Sequence, residues 1–265
     1  MPEAARLVAD WQKALADWRV WTFLGCQDIR FRFQRSFFGP LWLLIYTGFF
    51  VVGAGVFFGL MFAQPVEVAV PFLTAGVVLW AFLVATCVDG ANAFVNAEGY
   101  IKQFCYPKQI YLLRCLVTQA LVLAAGLAIL PPIQLWFGKF QPLGWILSVP
   151  GLVLVLLTAL AHITIFAYLG TRFRDLAHVT SSIFQVLFFV TPIMYPVHLL
   201  KERGLDFVYR FNPGHYLLDV IRTPILEGGW AASSSYAFCL TYLAVTWLLA
   251  LAVTIRLDRR VVYLL

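Results

Sequence analysis

The sequence predicts an all-α integral membrane protein, and three observations lead to that prediction. Of the 265 residues, 62% are hydrophobic and only 12% are charged, whereas soluble domains average about 45 to 50% and about 25%. Long uncharged runs recur along the chain, and basic residues concentrate between alternate runs. The composition leaves no large solvated basic surface, so no nucleic-acid partner is expected.

Residues 1–40 are predicted to form a cytosolic amphipathic interface helix followed by a motif at the membrane boundary. Apolar side chains recur with helical spacing at Leu7, Trp11, Leu15 and Trp18. Tryptophans anchor helices at the membrane interface, which favours a helix that lies on lipid. A helix packed on protein is the alternative.

The boundary motif occupies residues 30–42, where Arg30, Arg32 and Arg35 alternate with phenylalanines. Aromatic rings suit the membrane interface, and guanidinium groups bind phosphate oxygens with planar, bidentate geometry. Two interpretations are open: a cytosolic anchor that follows the positive-inside rule, or a site that handles the phosphate of a substrate.

Six transmembrane helices are predicted within residues 41–265. The first uncharged run covers 22 residues, 41–62, or about 33 Å of helix, and a hydrocarbon core is about 30 Å thick. Charged residues, glycines and prolines separate the rest of the uncharged sequence into five further runs, each assigned to one span. The predicted spans are 41–63, 70–94, 111–137, 145–171, 177–196 and 232–256.

Basic residues predict the orientation of these spans. With the N-terminus in the cytosol, 14 of the 19 arginines and lysines lie on the cytosolic side. Cytosolic loops of membrane proteins carry an excess of these residues. Six spans then place both the N-terminus and the C-terminus in the cytosol.

The loop at 95–108 is polar and aromatic, and it lies on the predicted cytosolic side. Such a segment is either a connector on the membrane surface or a docking helix for a soluble partner. The residues alone leave both possibilities open.

The outer connection at 197–228 is predicted to be a re-entrant segment between spans five and six. Asn212 and Pro213 supply a helix N-cap followed by proline at the first helical position. The helix that follows is too short to span a membrane, and its Asp219 and Arg222 are spaced to pair. A plain helix lying on the headgroups is the alternative.

Motifs for catalysis and metal binding are missing from the sequence. It has no GxxxxGK[ST] phosphate loop, so ATP is not expected to bind by that route. No catalytic residue, metal site or cofactor is expected in this chain. The cysteines lack metal-ligand spacing; they are Cys26, Cys87, Cys105, Cys115 and Cys239.

Taken together, four groups of motifs resemble type-2 ABC exporter permeases for polysaccharides, the group that contains Wzm, TagG and KpsM proteins. The resemblance covers nearly the whole chain, in order. The matching segments are DIRFRF at 28–33 with RS at 35–36 and GPLW at 39–42, Gly170 with RDL at 174–176, TPIMY at 191–195, and Asn212-Pro213 with Tyr216 and Arg222.

The resemblance implies a homodimeric permease of the bacterial cytoplasmic (inner) membrane, served by two ABC ATPase subunits. ATP and Mg²⁺ would bind to those partners. The implied substrate is a polysaccharide on a lipid carrier such as undecaprenyl diphosphate, of the O-antigen, capsule or teichoic-acid type. Membrane lipids complete the expected partners.

The resemblance also implies roles for individual residues. The carrier phosphates are expected at the cytosolic entrance, on Arg30, Arg32 and Arg35. Candidates for a sugar path are Trp42, Tyr46, Phe50, Phe188 and Tyr195. ATPase coupling is expected from Asn96, Glu98, Ile101, Lys102, Pro107, Arg174 and Asp175. The outer gate is expected at Asn212, Pro213, Tyr216, Asp219 and Arg222.

Two other functions fit the sequence less well. A type-2 ABC permease for another amphiphile, such as a drug or a simple lipid, would not need the arginine and aromatic motif at residues 30–42. A membrane enzyme acting on polyprenyl phosphates would need clustered carboxylates or a metal site, and the acidic residues are dispersed.

Overall fold

The computed structural model describes residues 3–39, 41–61, 64–104 and 106–265, and helices are the only regular secondary structure in those ranges. The predictions made for Pro40, Cys105 and residues 62–63 lie outside the described residues. The helices of the first half are α1 (Glu3–Ala16), α2 (Trp18–Arg32), α3 (Leu41–Met61), α4 (Val66–Ala91), α5 (Glu98–Gln103), α6 (Gln109–Leu127) and α7 (Leu130–Trp136). Those of the second half are α8 (Pro142–Leu147), α9 (Val149–Arg172), α10 (Leu176–Val190), α11 (Val197–Glu202), α12 (Phe207–Arg210), α13 (Pro213–Glu227), α14 (Ser233–Leu257) and α15 (Val261–Leu264).

The N-terminal region forms two helices where the sequence predicts one, because the chain breaks at Asp17 between α1 and α2. On α1 some residues of the predicted apolar stripe pack on protein and others are exposed. Leu7 is buried, and Trp11 packs edge-on against Trp247 of α14, whereas Leu15 is 55% exposed. The helix therefore packs on protein along one part of its apolar face and leaves another part uncovered.

Five helical segments of the described chain are long and apolar enough to cross a membrane. This finding agrees with an all-helical integral membrane protein. The segments are Leu44–Met61, Val66–Asn92, Gln109–Trp136, Pro142–Arg172 and Ser233–Leu264.

The predicted fifth span, 177–196, corresponds to the shorter helix α10. Its 15 residues cover about 23 Å at about 1.5 Å per residue, less than a hydrocarbon core of about 30 Å. The helix ends at Thr191, which is extended, because a residue that precedes proline disfavours the helical region. The Tyr195 hydroxyl then donates to the carbonyls of Phe189 and Val190, at 2.9 and 3.2 Å. The complete span predicted from the uncharged run is thus not observed in α10 alone.

Helix α13 is buried among α4, α8, α9 and α14, while α11 and α12 before it contain no buried residue. The Asn212 side chain accepts a hydrogen bond from the Gly214 amide at 2.9 Å, which confirms the predicted N-cap. Gly228 ends the helix in the left-handed region at φ 73°, a conformation that glycine adopts without steric cost. The connection therefore places a largely buried helix inside the bundle rather than on its surface.

The helices α4 and α9 form the centre of the bundle and pack closely against each other. The closest approach is at Gly170, where an added Cβ would lie 2.0 Å from the Ala91 carbonyl oxygen. On α3, an added Cβ at Gly55 would meet Val70 of α4 at 2.6 Å. Gly55 therefore allows α3 to pack closely against α4 within the chain.

Replacing Gly170 with alanine is expected to destabilise the protein by about 1 to 3 kcal/mol, because the new methyl group must push two helix backbones apart. Thermal unfolding of the purified protein in detergent measures the effect. Gly53→Ala on α3 is the matched control, since its Cβ would meet nothing within 4 Å. Equal unfolding temperatures for the two variants would contradict the packing described here.

Candidate functional site

A polar cavity of about 340 Å³ lies between α2, α4 and α6, at the end of the bundle where the arginine motif begins. Its lining combines two carboxylates, two guanidinium groups and several neutral polar side chains. The polar lining residues are Asp28, Arg32, Asp89, Asn96, Tyr111, Arg114, Thr118 and Gln119.

The strongest interaction in the cavity joins Asp28 of α2 to Arg114 of α6. The Arg114 guanidinium donates from Nε to Asp28 Oδ2 at 2.7 Å and from its terminal nitrogen to Oδ1 at 2.5 Å. Two parallel bonds of this kind fix geometry as well as contributing energy. The same guanidinium lies 5.7 Å from the centre of the Tyr100 ring on α5. Arg114 therefore contacts both the helix of the arginine motif and the predicted coupling segment.

A weaker pair lies on the other side of the cavity. Arg32 approaches Asp89 of α4 at 3.9 Å, and its side chain is 50% exposed. The second partner of Asp89 is Gln119, whose amide nitrogen donates to Asp89 Oδ2 at 2.6 Å. Exposed pairs at such distances contribute little to stability. Arg32 is therefore held loosely between the cavity and solvent.

The three arginines of the motif do not converge on one point. Arg32 lines the polar cavity, whereas Arg30 lines a separate groove of about 390 Å³ with Phe23 and Phe31. Arg35 lies in the turn after α2 and has a left-handed backbone, with φ of 66°. Arg30 and Arg32 therefore line different cavities and do not form one phosphate site in this arrangement.

The predicted coupling residues are brought to one region around α5. Lys102 donates to Glu98 at 2.7 Å, and this hydrogen bond lowers the pKa of the Glu98 carboxyl, with a further contribution from the charge of Arg174. Asn96 is exposed and lines the polar cavity. Arg174 is therefore near enough to Glu98 for its charge to act on that carboxyl.

The remaining coupling residues differ in accessibility. Asp175 is exposed at the start of α10, and Ile101 is half-buried. Pro107 is buried, so it positions the segment and offers little surface to a partner.

A buried carboxylate, Asp258, joins the two ends of the chain. Arg6 of α1 binds Asp258 Oδ2 at 2.5 Å, and the side chain of Asp258 is only 7% exposed. Lys108 lies 3.1 Å from Oδ1 and also donates to the Asp258 carbonyl, while the Tyr168 hydroxyl donates to Oδ1 at 2.9 Å. The start of α1, the chain before α6, the end of α9 and the end of α14 therefore meet at this carboxylate.

The predicted sugar-path residues lie on α3, on α10 and in the turn after α10, and in the described part of the chain they do not line one cavity. Trp42, Tyr46 and Phe50 are on an exposed face of α3, and Tyr46 is 73% exposed. Phe188 lines a groove of about 470 Å³ between α10 and Trp80 of α4. Tyr195 caps the carbonyls at the end of α10, as described above. Both α3 and α10 therefore carry aromatic side chains that the described residues leave exposed or only partly covered.

The predicted outer-gate residues hold the end of α10 against α13 and α4. The Asn212 amide donates to the Thr191 hydroxyl at 2.9 Å. Arg222 is buried, donates to the Pro192 carbonyl at 3.0 Å and lies 4.1 Å from the centre of the Phe72 ring. The turn after α10 is thus bound from two sides.

The predicted pairing of Asp219 with Arg222 is wrong. The Asp219 carboxylate instead accepts hydrogen bonds from Thr223 and Ser235, both at 2.7 Å. Arg222 turns to the Pro192 carbonyl because the end of α10 offers it an acceptor inside the bundle. Of the other predicted gate residues, Pro213 begins α13, and Tyr216 stacks on Phe238 at 4.0 Å.

Sequence reasoning missed Asp89, Arg114 and Asp258 as site residues. A signal was present for two of them, because Asp89 and Arg114 fall inside the predicted spans 70–94 and 111–137. Ionisable residues within a membrane span are costly and tend to be functional.

Comparisons with known proteins agree on one class of transporter. A family model described as ABC-2 type transporter matches residues 21–226. The O-antigen export system permease protein RfbA of Myxococcus xanthus is 24% identical over 189 residues, 71% of this chain and 72% of that protein. Two proteins of the same name from Klebsiella pneumoniae are 23% and 22% identical over the same shares.

Proposed function

The chain belongs to the ABC-2 type transporter family, and on that premise we propose that it is the transmembrane subunit of an ATP-driven exporter of a lipid-linked polysaccharide. The resemblance found in the sequence motifs is confirmed by the family match. The observation that carries the substrate class is the similarity to O-antigen export permeases over 71% of this chain. The polysaccharide would cross the bacterial cytoplasmic membrane on its lipid carrier.

The proposed topology has six spans with both termini in the cytosol. The contact between Arg6 and Asp258 supports it, because residues near the two ends of the chain meet at one end of the bundle. Helix α10 and the turn after it would form the fifth span, and α13 would be the re-entrant segment. Burial of α13 among four helices supports that role, since the non-helical backbone at the ends of a re-entrant helix must be covered by protein at membrane depth.

The proposed partners are a second copy of this chain and two ABC ATPase subunits, which would bind ATP and Mg²⁺. Exposed aromatic faces on α3 and α10 support contact with the second copy. The exposed surface of α5 beside Arg174 supports docking of the ATPase. Movement of α5 would then reach α2 through the contacts that Arg114 makes with Tyr100 and Asp28.

Arg32 is the proposed first contact for the phosphate of the carrier. It is half-exposed and its bond to Asp89 is long, so an incoming phosphate can compete for the guanidinium. A phosphate offers bidentate geometry that a carboxylate at 3.9 Å does not achieve. Release of Asp89 would leave that carboxylate with Gln119. Substrate arrival would thereby alter the contacts between α2 and α4.

The ATPase activity of the complex tests this function against export of another amphiphile. We expect a purified lipid-linked polysaccharide to stimulate ATP hydrolysis by the permease and its ATPase in lipid nanodiscs. Simple lipids and hydrophobic drugs at the same concentration serve as controls. Stimulation by a drug and none by the glycan lipid would favour the alternative.

Substitution of Arg32 by glutamine is expected to lower export about tenfold or more, because a hydrogen bond to a charged group contributes about 1.5 to 3 kcal/mol. Export is measured as polysaccharide delivered across the membrane, at equal permease abundance and equal ATPase co-purification. Arg19→Gln is the matched control, since Arg19 is an exposed arginine on the same helix and contacts the Trp18 ring. Unchanged export by the Arg32 variant would contradict the role in phosphate binding and favour the interpretation of the motif as a membrane anchor.

A further inference from the structure

A groove at the ends of α9 and α14 brings together arginines that are distant in the sequence. Arg172 is the last residue of α9, Arg256 lies in the last turn of α14, and Arg260 follows in the 3-10 turn Asp258–Arg260. The groove has a volume of about 510 Å³, and the rest of its lining is apolar. Its apolar residues are Leu169, Val253 and Leu257.

The positive charge of this groove is not neutralised by the described part of the chain. No carboxylate among those residues lies within 4 Å of a side-chain nitrogen of Arg172, Arg256 or Arg260. The neighbouring Asp258 is turned away and bound by Arg6, Lys108 and Tyr168. Helix C-termini favour nearby cations, which accounts for arginines at these ends, but none of the three has a carboxylate partner within 4 Å in the described ranges.

The position of the groove points to an amphiphilic ligand. Both α9 and α14 belong to segments long and apolar enough to cross a membrane, so their ends lie near the membrane boundary. A ligand there would meet basic side chains at one end and apolar walls along the helices. Basic pockets between transmembrane helices bind the headgroups of anionic lipids.

We propose that this groove binds an anionic membrane phospholipid. The guanidinium groups of Arg172, Arg256 and Arg260 hold the phosphate, and an acyl chain packs along Leu169 and Val253. The site is separate from the cavity lined by Arg32, because the two have no lining residue in common. It is therefore distinct from the place proposed above for the carrier phosphate.

Occupancy of the groove has a structural consequence for Asp258. Arg256 and Arg260 lie two residues on either side of this carboxylate, so a lipid bound to both would restrain the turn that carries it. That turn holds Arg6 of α1 and Lys108 of the chain before α6. The lipid would thus stabilise the junction of the two ends of the chain.

Native mass spectrometry of the purified full-length chain in detergent tests the proposal. The probe is palmitoyl-oleoyl phosphatidylglycerol, and the control lipid is phosphatidylethanolamine with the same acyl chains. We expect the unmodified chain to bind phosphatidylglycerol more tightly than phosphatidylethanolamine. In R256Q/R260Q the affinity for phosphatidylglycerol should fall about 25-fold, or about fivefold for each arginine. The control variant K13Q/R19Q removes the same charge from exposed positions on α1 and α2 and should change the affinity less than about twofold.

Several outcomes would overturn the proposal. An equal loss of phosphatidylglycerol affinity in R256Q/R260Q and K13Q/R19Q would indicate that the lipid is attracted by the overall charge of the protein and not by this groove. Equal affinity for phosphatidylethanolamine would remove the role of the anionic headgroup. Displacement of the lipid by glycerol 3-phosphate at equal concentration would indicate a site for a free phosphate. Should R256Q/R260Q not fold, R172Q on α9 provides the second variant, and an unchanged affinity there contradicts the proposal.

Discussion

Replacement of Asp258 by alanine is expected to lower the free energy of unfolding by about 3 kcal/mol. The substitution leaves Lys108 without its buried partner and removes the acceptor of the Tyr168 hydroxyl. Breaking a buried ion pair by removing one member costs about 3 to 5 kcal/mol, and we take the lower end because Arg6 is 45% exposed. Thermal unfolding in detergent measures the loss. Co-purification of the ATPase should fall with it, because Lys108, which follows the predicted coupling residues, is then less firmly held.

Asp206→Ala provides the matched control for this experiment. Asp206 also accepts a hydrogen bond from a tyrosine, Tyr209, at 2.8 Å. It is exposed, and no cation of the described residues lies within 4 Å of its carboxylate. Equal stabilities for the two alanine variants would show that Asp258 does not join the two ends of the chain.

Replacement of Arg114 by alanine is expected to cost about 2 to 3 kcal/mol of stability and to reduce export more than tenfold. The variant leaves the Asp28 carboxylate without its bidentate partner and removes the contact with the Tyr100 ring. Breaking a charged, hydrogen-bonded pair has costs of this size. Because Arg114 links α5 to α2, ATP hydrolysis should continue with less export per ATP.

A double-mutant cycle separates the contribution of the pair from that of each side chain. Asp28→Ala, Arg114→Ala and the double variant should give an interaction energy of about 1 to 3 kcal/mol in unfolding. Arg19→Ala is the control, since Arg19 also contacts an aromatic ring, that of Trp18, but has no carboxylate within 4 Å among the described residues. An additive cycle, with coupling of export to ATP hydrolysis unchanged, would contradict the role assigned to Arg114.

The family and the helical class could be predicted from the sequence because both depend on local signals. Uncharged runs fix the positions of apolar helices, and short motifs such as Asn212-Pro213 have a direct structural meaning. The N-cap at Asn212 forms as predicted. The proline at 192 likewise coincides with the end of α10, although the uncharged run itself continues beyond that point.

The geometry of the site could be predicted only in part. It depends on the direction in which each side chain leaves its helix and on contacts between residues that are distant in the sequence. Arg30 and Arg32 are two residues apart, which on a helix separates their directions by about 200°. Since α2 continues to Arg32, the two side chains face different cavities. Asp258 and Arg6 are 252 residues apart, and no periodicity in a single sequence connects them.

The most direct test of the central claim is transport by the reconstituted complex. The permease and its ATPase are placed in liposomes that carry a lipid-linked polysaccharide on the face where the ATPase docks. We predict that ATP moves the glycan to the opposite face, where an added glycosidase releases it, and that a hydrolysis-deficient ATPase abolishes the release. Glycan movement that is independent of ATP, or ATP-driven movement of a simple lipid but not of the glycan lipid, would contradict the account.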